Sequence, residues 1–391
     1  MRIMHIITRF IRGGAQENTL LTLRGQSVVN PENVCLVTGP TRGPEGTLVP
    51  DARKLGIAIY EMPHLIRAVS PLDDFRAFGE LRRIIRDWRP DIVHTHSSKA
   101  GILGRWAASM EKVPGIVHTI HGLPFHPYQN RFLNFAYIAA EKFAARRCHQ
   151  LVTVARAMTD QSVAAGVAPS EKFTTVYSGM EVEKFCLPSA GRENARRQYG
   201  FAPTDIVIGK IARLFALKGH EYLLDAFAVL LKDFPQLRLF LVGDGSWRER
   251  LENRARDLGV AGRIAWAGLL HPEEVPVALQ AMDIVAHCSL REGLARVIPQ
   301  GLLAGKPVVA FDVDGAREIL EPICPDWLVL PQDIPALCRA LSAVIRNLPQ
   351  AAALAREKGT PYCRENFAWQ TMCARLAEIY QRQLANHQPI L

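Results

Sequence analysis

The 391-residue chain has no run of about 18 apolar residues, which excludes a helix that crosses a membrane. It has no C-x-x-C pair either. Its eight cysteines lie scattered at 35, 148, 186, 288, 324, 338, 363 and 373, a pattern that suits buried, reduced thiols and neither a zinc ribbon nor a disulfide framework. No G-x-G-x-x-G follows a strand, and no acidic residue ends the next one to hold a ribose, which counts against a nicotinamide oxidoreductase. The apolar start of MRIMHIITRFIRGGAQ is interrupted by His5, Thr8, Arg9 and Arg12, with no A-x-A-like site after it. It reads as a first core strand and not an export signal, so a cytoplasmic location is expected.

Acid is the charge in short supply. The formal net charge is +9, and the excess sits early: 24 Lys+Arg against 17 Asp+Glu up to residue 195, then 23 against 21. A basic half attracts nucleic acid, anionic lipid or phosphorylated substrates. No nucleic-acid motif accompanies it, so the expected partners are lipid and phosphate.

Strand-length apolar runs alternate with helical stretches. The first series is 3–8, 33–39, 91–96, 116–122 and 150–155, with helices expected at 15–28, 72–88 and 130–147. After the polar segment 186–205 a second series follows at 206–212, 237–243, 263–268, 283–289 and 307–312. Its helices are expected near 219–233, 246–258, 273–281 and 295–304. Apolar strands alternating with helices predict parallel, doubly wound sheets. The expectation is α/β with two Rossmann-like domains, 1–185 and 186–366, and a helix within 367–391 that packs back through Phe367, Trp369, Leu376 and Tyr380.

Ligands of such sheets bind at the carboxyl ends of the strands. The first strand exit, R-F-I-R-G-G-A-Q-E, places Gly13 and Gly14 before a helix, where backbone can approach an anion. In the second series Arg213 ends a strand and Lys218 opens the next helix, a cation pair suited to clamp a diphosphate. Gly243, in L-V-G-D-G-S-W-R, offers another close approach. In S-L-R-E-G-L-A-R-V-I-P-Q-G, Glu292 precedes a helix whose first-turn amides, Gly293, Leu294 and Ala295, are expected to be available to sugar hydroxyls. Gln300, eight positions on, is expected two helical turns along on nearly the same face. His94 and His96 share a strand face, but two ligands without a third do not make a metal site, so no metal is expected. Ser97, Ser98 and Lys99 follow that strand and are assigned to the acceptor side.

These segments, in this order, resemble the retaining, GT-B-fold glycosyltransferases of family 4. The markers are the Gly-Gly loop, H-T-H-S (94–97), T-I-H-G (119–122), R-L-x-x-x-K-G (213–219) and R-E-G-L (291–294) leading to A-G-K-P-V-V. The resemblance implies two lobes facing each other across a cleft that holds a nucleotide-sugar donor, with no metal or other cofactor. It implies that Gly14 approaches the donor phosphate, that Arg213 and Lys218 neutralise the diphosphate leaving group, and that Glu292 and the amides after it contact the sugar. His121 matches a histidine beside the transferred sugar. The family's second glutamate is Gln300 here, which keeps the hydrogen-bonding capacity for a ribose and loses the charge.

The implied reaction moves a hexose or N-acetylhexosamine, with a UDP-sugar favoured, and retains anomeric configuration. For the acceptor, segment 123–147 mixes Phe125, Tyr128, Phe132, Phe135 and Tyr137 with Arg131, Lys142, Arg146 and Arg147. That composition fits either an anionic membrane surface or a core helix with a basic edge. With the basic half, it favours a lipid-linked or envelope polysaccharide acceptor at the inner face of the cytoplasmic membrane. The rivals are a GT-B sugar-nucleotide epimerase and a non-catalytic nucleotide-sugar-binding subunit, the latter motivated by Gln300.

Overall fold

The computed structural model describes residues 1–41, 46–186 and 191–385. The chain divides into two compact units: Met1–Met180 together with the segment that begins at Ala368, and Glu181–Phe367.

The first unit is built on seven strands: β1 (Ile3–Ile7), β2 (Val34–Thr38), β3 (Ala58–Glu61), β4 (Ile92–His96), β5 (Gly115–Ile120), β6 (Gln150–Thr153) and β7 (Phe173–Thr175). They lie in the order β3-β2-β1-β4-β5-β6-β7, and every pairing is parallel. Each residue of β1, β2, β4 and β5 is buried, because helices cover both faces of the sheet. The helix Pro71–Trp88 starts with proline at its first position, where the missing N–H costs nothing. The helix Trp369–Ala385 closes this unit. Its Met372, Leu376, Ile379 and Tyr380 pack on Ile3, Leu21, Ile92 and Val117.

The second unit carries β8 (Ile206–Ile211), β9 (Leu237–Val242), β10 (Ile264–Gly268), β11 (Ile284–His287), β12 (Val308–Phe311) and β13 (Leu328–Val329). Their order is β10-β9-β8-β11-β12-β13, again parallel throughout. In each sheet the winding reverses beside the first strand, between β1 and β4 and between β8 and β11. A crevice opens at such a reversal, and the strand exits there are the natural ligand positions.

Three strands went unread in the sequence: β3, β7 and β13, all edge strands of two to four residues. The helix expected at 295–304 is Val297–Leu303. Gly293, Leu294 and Ala295 therefore lie in the bend before it and not in its first turn. Glu292 is outside the helix as well, so its spacing to Gln300 is not two helical turns. The cause lies 22 positions on: Asp314 Oδ2 holds the Glu292 N–H at 2.5 Å, and Ile298 N–H is the first to close a turn, onto Ala295 C=O at 3.0 Å.

Candidate functional site

In the second unit the exits of β8, β9 and β11 are laced together by backbone. Leu214 N–H donates to Asp244 C=O at 2.9 Å, and Trp247 N–H donates to Leu214 C=O at 2.9 Å. Gly243 is there because nothing larger fits: with φ at 134°, a Cβ would stand 2.1 Å from the Ala212 carbonyl oxygen. Gly219 has the same reason. It caps the helix His220–Leu230 in the left-handed region, φ 65°, and a Cβ would stand 1.8 Å from Cys288 C=O. That close approach, with Leu290 N–H donating to Leu217 C=O at 2.8 Å, brings the β8 loop against the β11 loop.

The consequence is an ion pair. Lys218 Nζ donates to Glu292 Oε1 at 2.6 Å, both side chains being partly buried. Burial alone would raise the Glu292 carboxyl, but the Lys218 ammonium outweighs it and holds the group below its ordinary value. The residue is a carboxylate at neutral pH, able only to accept hydrogen bonds. Behind it, at the end of β11, lies His287, with Nε2 3.7 Å from Glu292 Oε1 and its pKa pushed down by burial to about 3. Lys210, on β8, is fully buried, and its Nζ has no hydrogen-bond partner among the described residues.

Arg213 is exposed and rests over the Phe215 ring at 5.1 Å, with no ion pair to a described residue. The amides of Gly293, Leu294 and Ala295 make no hydrogen bond to a described residue. Gln300 is half-buried, the fourth residue of its short helix. The second unit thus carries two cations on one loop, a carboxylate, and three amides without a partner among the described residues, at the reversal point of its sheet.

In the first unit, Gly13 and Gly14 follow β1, Gly13 with an extended φ of 175° and Gly14 as the first helical residue. A Cβ on Gly13 would meet only the flexible end of Gln16, at 2.9 Å, so geometry alone does not demand glycine there. Of the residues assigned to an acceptor, Ser97 is a strut: its Oγ bonds Thr8 Oγ1 at 2.9 Å and joins the β1 and β4 exits. Lys99 is committed to Asp74 Oδ1 at 2.5 Å and to the Ala68 carbonyl. Ser98 is exposed.

His121, half-buried just past β5, does not stand alone. Its Nε2 lies 3.1 Å from His96 Nδ1, and His96 Nε2 lies 2.9 Å from His5 Nδ1. His5 Nε2 meets Gln26 Oε1 at 2.7 Å. His94 bonds Tyr380 Oη at 2.5 Å and Thr119 Oγ1 at 2.7 Å. Sequence reading found His94 and His96 but missed His5, the third imidazole. The signal was in the register: His5 sits directly across from His94 in the β1–β4 pairing. His5, His94 and His96 bring ring nitrogens within 4.8 Å of one another, the spacing of a metal cluster. Both nitrogens of each ring, however, are engaged with protein partners. Burial drives all three pKa values down, His5 to about 4, so the rings are neutral at pH 7.

Two family descriptions match the chain, "Glycosyl transferases group 1" over residues 191–358 and "Glycosyl transferase 4-like domain" over residues 29–179. Among similar proteins, the UDP-Gal:alpha-D-GlcNAc-diphosphoundecaprenol alpha-1,3-galactosyltransferase of Escherichia coli is 26% identical over 292 residues, 74% of this chain and 75% of that protein. The putative glycosyltransferase EpsD of Bacillus subtilis (strain 168) is 26% identical over 298 residues, 74% and 76% of the two chains. Among solved structures, Anabaena Alr3699/HepE in complex with UDP-glucose superposes with a TM-score of 0.83 at 22% identity, covering 98% of this chain and 100% of that one. WaaG, a glycosyltransferase involved in lipopolysaccharide biosynthesis, gives 0.71 at 17% identity, covering 97% and 99%. With both units matched and the two parallel sheets in this order, the chain belongs to the family-4-type glycosyltransferases of GT-B fold, enzymes that use sugar nucleotides.

Proposed function

We propose that this chain transfers a hexose or N-acetylhexosamine from a UDP-sugar to a lipid-linked or envelope polysaccharide acceptor, with retention and without a metal. The observation that carries the donor reading is the Lys218–Glu292 pair at 2.6 Å, on a loop that also carries Arg213, which has no ion pair to a described residue. A diphosphate displaces the carboxylate from Lys218 and takes Arg213 as its second cation, while Glu292, released and ionised, accepts from sugar hydroxyls. Two cations offset the charge that grows on the leaving group, in a place where their interaction is stronger than in water. No carboxylate is positioned as a nucleophile in this reading. Departure is front-face, and a donor phosphate oxygen takes the acceptor's proton. The arginine, the lysine and the amides after Glu292 supply all the charge neutralisation, so no cofactor is required.

Similar proteins support the choice of substrates. One uses UDP-Gal and a diphosphoundecaprenol-linked acceptor, and one structural neighbour was solved with UDP-glucose. Surface chemistry favours the lipid-linked acceptor. On the helix Arg131–Ala145, Phe132 is 86% exposed and Phe135 75%, where a core helix would bury them. Tyr128, Leu133 and Tyr137 are exposed too, alongside Arg131, Lys142 and Arg146. Aromatic and basic groups on one exposed element suit an anionic bilayer surface.

The test is a thermal-shift panel of UDP-, GDP- and ADP-sugars followed by transfer assays. A UDP-sugar alone should raise the melting point, since it binds only the folded state. Replacing Arg213 and Lys218 together by alanine should abolish most turnover with the fold intact; a normal rate in that variant rejects the clamp. Flotation with anionic liposomes tests the acceptor reading, and failure to float removes it.

A further inference from the structure

We infer that Gln26 is a positioning residue that, through His5 and His96, dictates which ring nitrogen of His121 carries the proton. The inference rests on the reading that His121 belongs to the sugar site.

Protons can be counted along this line of bonds. Gln26 presents Oε1 to His5 Nε2 at 2.7 Å and its amide N–H to Tyr380 Oη at 3.2 Å. An amide oxygen can only accept, so His5 must carry its proton on Nε2. His5 Nδ1 is then an acceptor, and the N–H between it and His96 at 2.9 Å must belong to His96 Nε2. The same step repeats at 3.1 Å: His96 Nδ1 accepts, and His121 Nε2–H donates. His5 and His96 are neutral with one proton each to place, so the amide orientation determines both tautomers and presents His96 Nδ1 to His121 as an acceptor. Burial keeps the rings neutral, since His5 is fully buried and its pKa falls to about 4.

The amide itself is held by a second branch. Tyr380 Oη accepts from Gln26 and gives its own proton to His94 Nδ1 at 2.5 Å, and His94 Nε2–H donates to Thr119 Oγ1 at 2.7 Å. A reversed amide would invert every bond in both branches. The chemical consequence falls on the half-buried ring at the end of β5. When His121 is the neutral imidazole, giving Nε2–H to His96 leaves its Nδ1 as an acceptor. It suits a hydroxyl of the sugar and repels a phosphate oxygen; the inverted chain would do the opposite.

The test is nitrogen NMR of the full chain labelled with 15N-histidine, with His121→Ala used to assign the His121 signals. The expected wild-type result is a protonated Nε2 and an unprotonated Nδ1 on His121. Gln26→Leu should let both tautomers populate and lower turnover about tenfold, the worth of one well-made hydrogen bond. Gln26→Glu, which keeps an acceptor for His5, should restore the wild-type tautomer and most of the rate. A protonated Nδ1 in the wild type, or an unchanged tautomer in Gln26→Leu, overturns the inference. If His121→Ala transfers sugar at the normal rate, it is the site reading that fails, and the tautomer measurement still decides the relay. Should Gln26→Leu not fold, Tyr380→Phe keeps the ring, releases the amide and is expected to mix the tautomers in the same way.

Discussion

The centres of the two sheets handle buried polar groups in opposite ways. In the first, His5, His94 and His96 occupy the centre of the sheet, and every ring nitrogen has a partner. In the second, Lys210 Nζ and both nitrogens of His287 are buried with no hydrogen-bond partner among the described residues, directly behind the Lys218–Glu292 pair. A satisfied network fixes one arrangement of side chains, whereas a buried lysine and a neutral imidazole without partners cost stability and keep their bonding capacity. The difference teaches what each unit contributes: the first a pre-set geometry around His121, the second a positive field for a charged group.

The sharpest way to break that comparison is to leave a charge unpaired in the first unit. Arg105 is fully buried, and its Nη2 donates to Glu141 Oε2 at 2.9 Å, joining the helices Ser98–Met110 and Arg131–Ala145. Arg105→Met strands the Glu141 carboxylate and should destabilise by about 3–5 kcal/mol. Chemical denaturation checks the size. A loss below about 1 kcal/mol would mean that the first unit tolerates unpaired charge as the second does.

A smaller loss, in rate and not in stability, is expected from Glu292→Ala. If Glu292 meets the reacting sugar as proposed, its loss should cost about 10²–10³ in turnover, roughly 2.7–4 kcal/mol of transition-state stabilisation. The melting point should hardly move, because Lys218 is partly exposed and regains water. Steady-state kinetics beside a thermal melt separate the two. A large fall in stability with modest loss of rate would make the pair a structural tie.

Protonation offers a third test. The folded His5 titrates at about 4 against 6.5 unfolded, so between those values the unfolded state binds more protons and stability falls as pH drops. The span is worth about 3 kcal/mol, from 1.36 kcal/mol per unit. His94 and His96 add in the same direction. Denaturant midpoints at pH 7 and 4.5 should differ accordingly, and His5→Gln should flatten the dependence. A midpoint insensitive to pH would mean the rings accept charge inside the fold, and the network would no longer be neutral.

Much of this was legible from the chain alone, for a physical reason in each case. Central strands of doubly wound sheets are buried on both faces, so runs such as IMHII and LRLFLV stand out. Edge strands have no such constraint: AIYE of β3 shows none of its residues buried, and its pattern passes for a loop. That Lys218, Glu292 and Gly243 follow strands near the sheet reversal is legible from the alternation of apolar runs and glycines. What the sequence does not show is pairing across distance. The bond between His94 and Tyr380 spans 286 positions, and no periodicity encodes it. Helix starts are similarly obscure where a distant group decides them, as Asp314 does by holding the Glu292 amide.

The smallest effect is expected at Lys210, and it decides whether the second unit's unsatisfied charge serves the reaction. Burial drives the Lys210 ammonium below its ordinary pKa, the mark of a charge the fold disfavours. Lys210→Met removes it at similar volume and should stabilise the chain by about 1–2 kcal/mol, since an apolar side chain of that size suits a buried site better than an unpaired ion. If the positive field behind Glu292 assists departure of a diphosphate, the stabler variant should be slower, with the loss in kcat and not in donor KM. If it is stabler and equally fast, the cluster is a packing accident, and the contrast between the units reduces to the Lys218–Glu292 pair alone.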